Sequence, residues 1–117
     1  MFKLSVKAHF DSAHRLPNYA GCCAQLHGHR WEVAPAWHFP EVLAEQGFAA
    51  DLKVLKEELN QLIGNFDHSF LNDMVEIPTA ENIAQIIYEQ LKLRPHGRFL
   101  ASVTIWETPD TKVTFTP

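Results

Sequence analysis

Phe2-Lys3-Leu4-Ser5-Val6-Lys7-Ala8-His9-Phe10-Asp11 alternates without a slip: Phe2, Leu4, Val6, Ala8 and Phe10 share one parity, and Lys3, Ser5, Lys7, His9 and Asp11 the other. Successive side chains on a strand point to opposite faces, so this stretch predicts a strand with one face on a core and one in water. Beyond a loop at Pro17-Asn18-Tyr19-Ala20-Gly21, the segment His27 to Phe39 reads as a second strand, with Trp31, Val33 and Trp37 on one parity. Pro35 interrupts it, because proline donates nothing to a ladder and prefers an edge or a bulge. From Asp51 the period changes. Leu52, Leu55, Leu59, Leu62 and Ile63 recur at helical spacing, with Asp51 as N-cap and Gly64-Asn65 as a stop. A second helix follows Pro78-Thr79, with Thr79 as cap, Glu81 in the first turn, and Ile83, Ala84, Ile86, Ile87 and Leu91 facing inward. Phe99 to Thr108 alternates again, and Val113-Thr114-Phe115 after the Pro109-Asp110 turn completes a hairpin. Two strand pairs flanking two helices predict an α+β domain: a four-stranded antiparallel sheet with both helices on one face.

Composition excludes several classes. A chain of 117 residues that is 46% hydrophobic and 21% charged is expected to form one folded domain over 1–117, not a coiled coil or a disordered tail. Ten Lys and Arg against fourteen Asp and Glu give a net charge of −4, so no basic field draws nucleic acid or an anionic membrane. No apolar run approaches the roughly 18 residues of a membrane-spanning helix. The two cysteines, Cys22 and Cys23, are adjacent and make no disulfide framework, which fits a reducing cytoplasm.

Histidine is the unusual feature, with seven in the chain. In His27-Gly28-His29 the two imidazoles lie two residues apart on an extended segment and project from one face, the parity of Trp31 and Val33. His14 continues the inward parity of the first strand. Three histidines with an open fourth position describe a catalytic zinc site, and the alternative is a hydrogen-bonded pair without metal. Cys23, four residues before His27, has two possible jobs: a fourth ligand, or a thiolate acting as base or nucleophile. Cys22 has no separate argument. In Asp67-His68 an adjacent carboxylate can fix the tautomer of a proton-carrying imidazole, against the plainer reading of loop hydrogen bonding. Glu107 shares the inward parity of Val103 and Ile105 and would suit a ligand with paired N–H donors, such as a 2-amino-4-oxopyrimidine edge. His9, His38 and His96 read as surface residues.

Together these residues resemble the 6-pyruvoyltetrahydropterin synthase and 6-carboxytetrahydropterin synthase family. The matching pieces are Phe10-Asp11-Ser12-Ala13-His14-Arg15-Leu16, Cys23-Ala24-Gln25-Leu26-His27-Gly28-His29, Gly47 with Asp51, Asp67-His68 with Leu71-Asn72, Pro78-Thr79-Ala80-Glu81, and Glu107-Thr108. The Cys-x-x-x-His-Gly-His spacing is similar to the bacterial carboxy branch, which serves 7-deazaguanine and queuosine synthesis. The resemblance implies a tunnelling fold (T-fold) whose subunits pair their sheets into a barrel and stack as two trimers into a homohexamer, with active sites between subunits. It further implies zinc on His14, His27 and His29, Cys23 as general base, Asp67 and His68 as a proton-transferring pair from a neighbouring chain, and Glu107 anchoring the pterin, with Thr79 also among the substrate-binding residues. The implied reaction takes 7,8-dihydroneopterin triphosphate to 6-carboxytetrahydropterin, acetaldehyde and triphosphate. The scattered cations Lys7, Arg15, Arg30 and Lys53 assign no triphosphate subsite. Two alternatives stand beside it: pyruvoyltetrahydropterin formation, and a noncatalytic pterin or purine-binding domain with structural zinc on the three histidines and Cys23. Pro35, Trp37-His38-Phe39-Pro40 and Ala49-Ala50-Asp51-Leu52 depart from the family's usual pattern.

Overall fold

The computed structural model describes residues 1–16, 21 and 25–117. The elements run β1 (Phe2–Ser5), β2 (Ala8–His14), β3 (His27–Phe39), α1 (Leu52–Ile63), β4 (Ser69–Phe70), α2 (Ala80–Leu91), β5 (Leu100–Thr108) and β6 (Thr111–Phe115). They form one sheet in the order β4-β2-β3-β5-β6, with β1 also paired to β3. The sheet therefore has six strands, not the expected four.

Two local causes account for the extra strands. The first predicted strand is split at Val6-Lys7, although its register does not change: Ser5 pairs Ala36 and Ala8 pairs Val33 on an unbroken antiparallel diagonal. That diagonal sets Val6 opposite Pro35, which has no N–H to give. Pro35 thus stays within β3, buried and paired to Val103 on the other side, and what it costs is one stretch of ladder toward the first strand. Ser5 Oγ donates to the Pro35 carbonyl at 2.7 Å and ties the chain across the gap. The second addition, β4, is two residues long and pairs parallel to β2, Ser12 with Ser69 and Ala13 with Phe70. Two residues carry no period, so nothing in the alternation announces it.

The helices begin where their caps predict. Asp51 accepts from the Lys53 N–H, and Thr79 Oγ1 accepts from the Asn82 N–H. Gly64 remains right-handed at φ −55°, so α1 ends without a left-handed glycine. Leu55, Leu59 and Leu62 of α1 and Ile83, Ile87 and Leu91 of α2 pack with Phe10, Trp31, Val33, Val103 and Ile105 from the sheet. Burying these side chains together supplies the main driving force for the layer. Ile86 is only half-buried while Tyr88 is buried, and Phe2 is exposed at the start of the sheet. No described helix is long and apolar enough to cross a membrane.

Candidate functional site

His14 ends β2 and His27 opens β3, and the β2–β3 register makes them direct cross-strand partners. His29 lies two residues along on the same face, so the three rings meet with centroids 4.5, 4.6 and 5.2 Å apart. The backbone fixes two tautomers. His14 Nδ1 is 2.8 Å from the Pro78 carbonyl and His27 Nδ1 is 2.8 Å from the Gln25 carbonyl. A carbonyl only accepts, so each Nδ1 carries the proton and each neutral Nε2 presents a bare lone pair. Those two Nε2 atoms face each other at 3.0 Å. Two lone pairs at that distance repel unless a cation lies between them. His29 Nε2 is buried and has no hydrogen-bond partner among the described residues.

Glu107, near the end of β5, completes the group. Its Oε1 is 3.2 Å from His29 Nε2 and 3.8 Å from His14 Nε2. All four ligand atoms lie within 4.8 Å of one another. Ligands about 2.0–2.1 Å from a tetrahedral ion stand roughly 3.3–3.4 Å apart, near the 3.0 Å of the His14–His27 pair and the 3.2 Å of the His29–Glu107 pair. The donor set therefore fits a divalent metal ion. Burial pushes the His29 imidazolium below its ordinary range, with His27 and His14 adding to the effect and Glu107 opposing it. A ring held neutral keeps its lone pair for a metal. Trp31 walls the cluster edge-on, 4.9 Å from His14 and 5.5 Å from His29 between ring centroids, and His14 is wholly buried.

The Asp67-His68 pair is built along the outer edge of β2. Asp67 Oδ1 accepts the Asp11 N–H at 2.9 Å, and Oδ2 lies 2.9 Å from His68 Nδ1. The His68 N–H returns to the Asp11 carbonyl at 2.7 Å. These bonds hold His68 at φ +53°, the one left-handed non-glycine among the described residues. Its side chain is 82% exposed. Hydrogen bonding from the Asp11 backbone keeps the Asp67 carboxyl below the usual range, helped by His68. No hydrogen bond or ion pair joins this dyad to the histidine cluster among the described residues. Thr79 caps α2 with its hydroxyl, one residue after the carbonyl that holds His14. Cys23 and Cys22 lie outside the described residues.

Sequence reasoning passed over the pair Asp11–Arg30, joined by two hydrogen bonds of 2.9 and 3.1 Å. The register that sets His14 opposite His27 also sets Asp11 opposite Arg30, so the pairing follows once the histidines are taken as cross-strand partners. Of the scattered cations, Arg30 is thus engaged, and Lys7 is paired with Glu32 at 3.1 Å. His9 and His38 are exposed as expected. His96 is not a free surface residue: it is half-buried, with Nδ1 2.7 Å from the buried carboxylate of Glu58 on α1.

The family model of 6-pyruvoyl tetrahydropterin synthase matches residues 3–117. The chain is 37% identical over 89 residues to 6-carboxy-5,6,7,8-tetrahydropterin synthase of Synechocystis sp., covering 71% of this chain and 69% of the relative. It is 29% identical over 110 residues to dihydroneopterin monophosphate aldolase of Pyrococcus furiosus, covering 90% and 89%. The solved 6-pyruvoyl tetrahydropterin synthase of Caenorhabditis elegans superposes with a TM-score of 0.88 at 28% identity, over 99% of this chain and 95% of that one.

Proposed function

The chain belongs to the 6-pyruvoyl tetrahydropterin synthase family, and on that premise we propose that it is a zinc-dependent 6-carboxy-5,6,7,8-tetrahydropterin synthase. In this reading it is a cytoplasmic lyase that converts 7,8-dihydroneopterin triphosphate to 6-carboxytetrahydropterin, acetaldehyde and triphosphate for queuosine and 7-deazaguanine synthesis. The observation that carries it is the convergence of three imidazole Nε2 atoms and one carboxylate in a half-buried group with two bare lone pairs 3.0 Å apart. The Synechocystis relative's name favours the carboxy branch.

His14, His27 and His29 would hold the metal, and the Nδ1–H bonds of His14 and His27 to backbone carbonyls keep those two rings aimed. Zinc there supplies Lewis-acid polarisation of the substrate's side-chain oxygens. Glu107 borders both the histidines and a cavity of 140 Å³ lined by Ala80, Glu81, Thr111, Lys112 and Val113. Its carboxylate accepts the paired N–H donors of the pyrimidine edge, with Thr79 among the groups that position substrate. Cys23 removes the substrate proton, and His68 delivers one from Nε2 while Asp67 holds Nδ1–H.

That cavity is small beside the roughly 300–1,000 Å³ of an ordinary ligand site, so a second subunit completes it. The exposed His68 suits delivery into a neighbour's site, and β6 ends the sheet with no further strand among the described residues. The homohexamer of two stacked trimers supplies such neighbours.

The test is turnover of 7,8-dihydroneopterin triphosphate by zinc-loaded protein, with products identified by mass. Acetaldehyde with 6-carboxytetrahydropterin supports the proposal; 6-pyruvoyltetrahydropterin or an aldolase product moves the chain to another branch. Zinc bound to the three histidines with no pterin product overturns the catalytic reading. Glu107→Gln is expected to raise KM about 10–100-fold with zinc content retained, the scale of losing a charge-assisted hydrogen-bond pair.

A further inference from the structure

We propose that Asp11 and Arg30 form a positioning pair for the Asp67–His68 dyad: the Asp11 main chain holds the dyad in place, and the Arg30 guanidinium cancels the charge that the Asp11 carboxylate sets beside the imidazole. The inference rests on the reading of that dyad as the proton-transferring pair.

The geometry divides Asp11 into two halves. Its main-chain N–H goes to Asp67 Oδ1 at 2.9 Å, and its carbonyl takes the His68 N–H at 2.7 Å. The main chain of Asp11 is therefore turned to the outer edge of β2, and Asp11 and Arg30 are cross-strand partners that exchange no backbone bonds. In that arrangement opposite side chains come closest. The carboxylate meets the guanidinium as a two-point fork, Nε to Oδ1 at 2.9 Å and Nη2 to Oδ2 at 3.1 Å.

Stability alone gives little reason for this fork. The Arg30 side chain is 63% exposed and the Asp11 side chain 39%, and an ion pair this open to water adds little to stability. Charge placement gives a better one. Asp67 from its own loop is bonded to His68, the Asp11 carboxylate on β2 feels the charge of His68 and of His9, and Arg30 on β3 lies against both Asp11 and Asp67. Without Arg30, two carboxylates would flank one imidazole that must take up and release a proton. The Arg30 fork pulls the Asp11 carboxyl below its ordinary range, and Arg30 also feels Asp67. The left-handed His68 backbone, at φ +53°, is held against its preference by the bond to Asp11.

The test follows the His68 ring resonance by NMR across pH in the zinc-loaded full chain, assigned by its loss in His68→Gln. Arg30→Gln leaves the Asp11 charge uncompensated, favours imidazolium, and moves the titration midpoint up by about 0.3–0.5 pH unit at low salt. Asp11→Asn leaves Arg30 alone and moves it down by a similar amount. The double variant returns near the parent, which no loss of structure would do. The corresponding limb of the kcat–pH profile moves in step, with KM unchanged within about twofold. Shifts of the same sign, or none, overturn the proposal. Opposite shifts with a fixed kcat limb leave the pair standing and remove the dyad from the reaction, which separates failure of this inference from failure of the catalytic reading.

Discussion

Zinc should raise the thermal stability of this chain, and one ring should carry much of the effect. With free zinc 100-fold above Kd and binding only to the native state, the gain is RT ln(1 + 100), about 2.7 kcal/mol. A chain of 117 residues unfolds with an entropy near 0.25 kcal/mol/K, taking about 2.1 cal/mol/K per residue, so Tm rises by about 11 °C. His29→Ala removes one of the three imidazole donors, the one whose Nε2 is buried without a hydrogen-bond partner among the described residues. Losing a group that merely hydrogen-bonds a ligand already weakens metal sites about 10–100-fold, so losing a ligand should reach at least the upper figure. At the same free zinc, a 100-fold weaker site gains only RT ln 2, about 0.4 kcal/mol, and under about 2 °C. His9→Ala is the control, since His9 is exposed on the opposite parity and stands apart from the cluster. Scanning calorimetry at about pH 7.5 in nitrilotriacetate-buffered zinc reads all three, because neutral imidazoles are needed for binding. Equal shifts in the parent and His29→Ala would refute the assignment of the ligands.

Two further outcomes follow from the packing and the charges. Leu59→Ala opens a cavity at a wholly buried position between α1 and the sheet and should cost about 2–5 kcal/mol by urea unfolding, against under about 0.5 for Leu52→Ala at the exposed start of α1. Acid should destabilise the metal-free chain in two stages, because the folded chain holds His29, Asp11 and Asp67 below their ordinary values of 6.5, 3.8 and 3.8. In each case the unfolded chain takes the proton first, so stability is full above the unfolded value and falls as pH drops toward the folded one, first below about 6.5 and again below about 4. Urea midpoints across pH read both stages; a midpoint that rises between pH 7 and 5 contradicts the sign, and Arg30→Gln should blunt only the second stage.

The period changes near residues 51, 79 and 100 were legible because each element buries one face, and burial imposes its period on the sequence. The inward parity of His14, His27, His29 and Glu107 was legible for the same reason. Pro35 shows where such reading stops. The residue signals trouble in a strand, but its consequence falls far earlier in the chain, at Val6-Lys7, because a missing donor is felt by the partner strand. The short strand Ser69–Phe70 left no trace, since its place is set by side chains far off in sequence: the Ser12 hydroxyl bonded to the Phe66 carbonyl, and Asp67 on the Asp11 backbone. His96 looked free because its partner, Glu58, is buried on a helix whose other inward residues are apolar.

Two registers generate the whole site. Along β2 and β3 paired residue numbers share one sum, which places His14 opposite His27, Ser12 opposite His29 and Asp11 opposite Arg30. Along β3 and β5 a second register sets Val33 against Ile105 and Glu32 against Trp106, and one step further brings Glu107 opposite Trp31, diagonal to His29. β3 belongs to both ladders, and near its start His29 is where a β2 histidine and a β5 carboxylate meet on one face, with Glu107 Oε1 3.2 Å from His29 Nε2. A slip of one residue in either ladder would turn His14 or Glu107 to the far side of the sheet, whatever happened to the chemistry of the side chain. The same β2 register carries Asp11 to Arg30 on the opposite face, so the metal group and the clamp beside His68 depend on one alignment. The β5–β6 ladder slips between Trp106 and Thr108, at Glu107 itself, while the other irregularities of the sheet lie away from that alignment. The β3–β5 bulge falls at Ala36/Trp37, and the gap in pairing falls opposite Pro35. The strand ends that bear the histidines are the regular part of the ladder, and the tolerance for proline is confined to the other end.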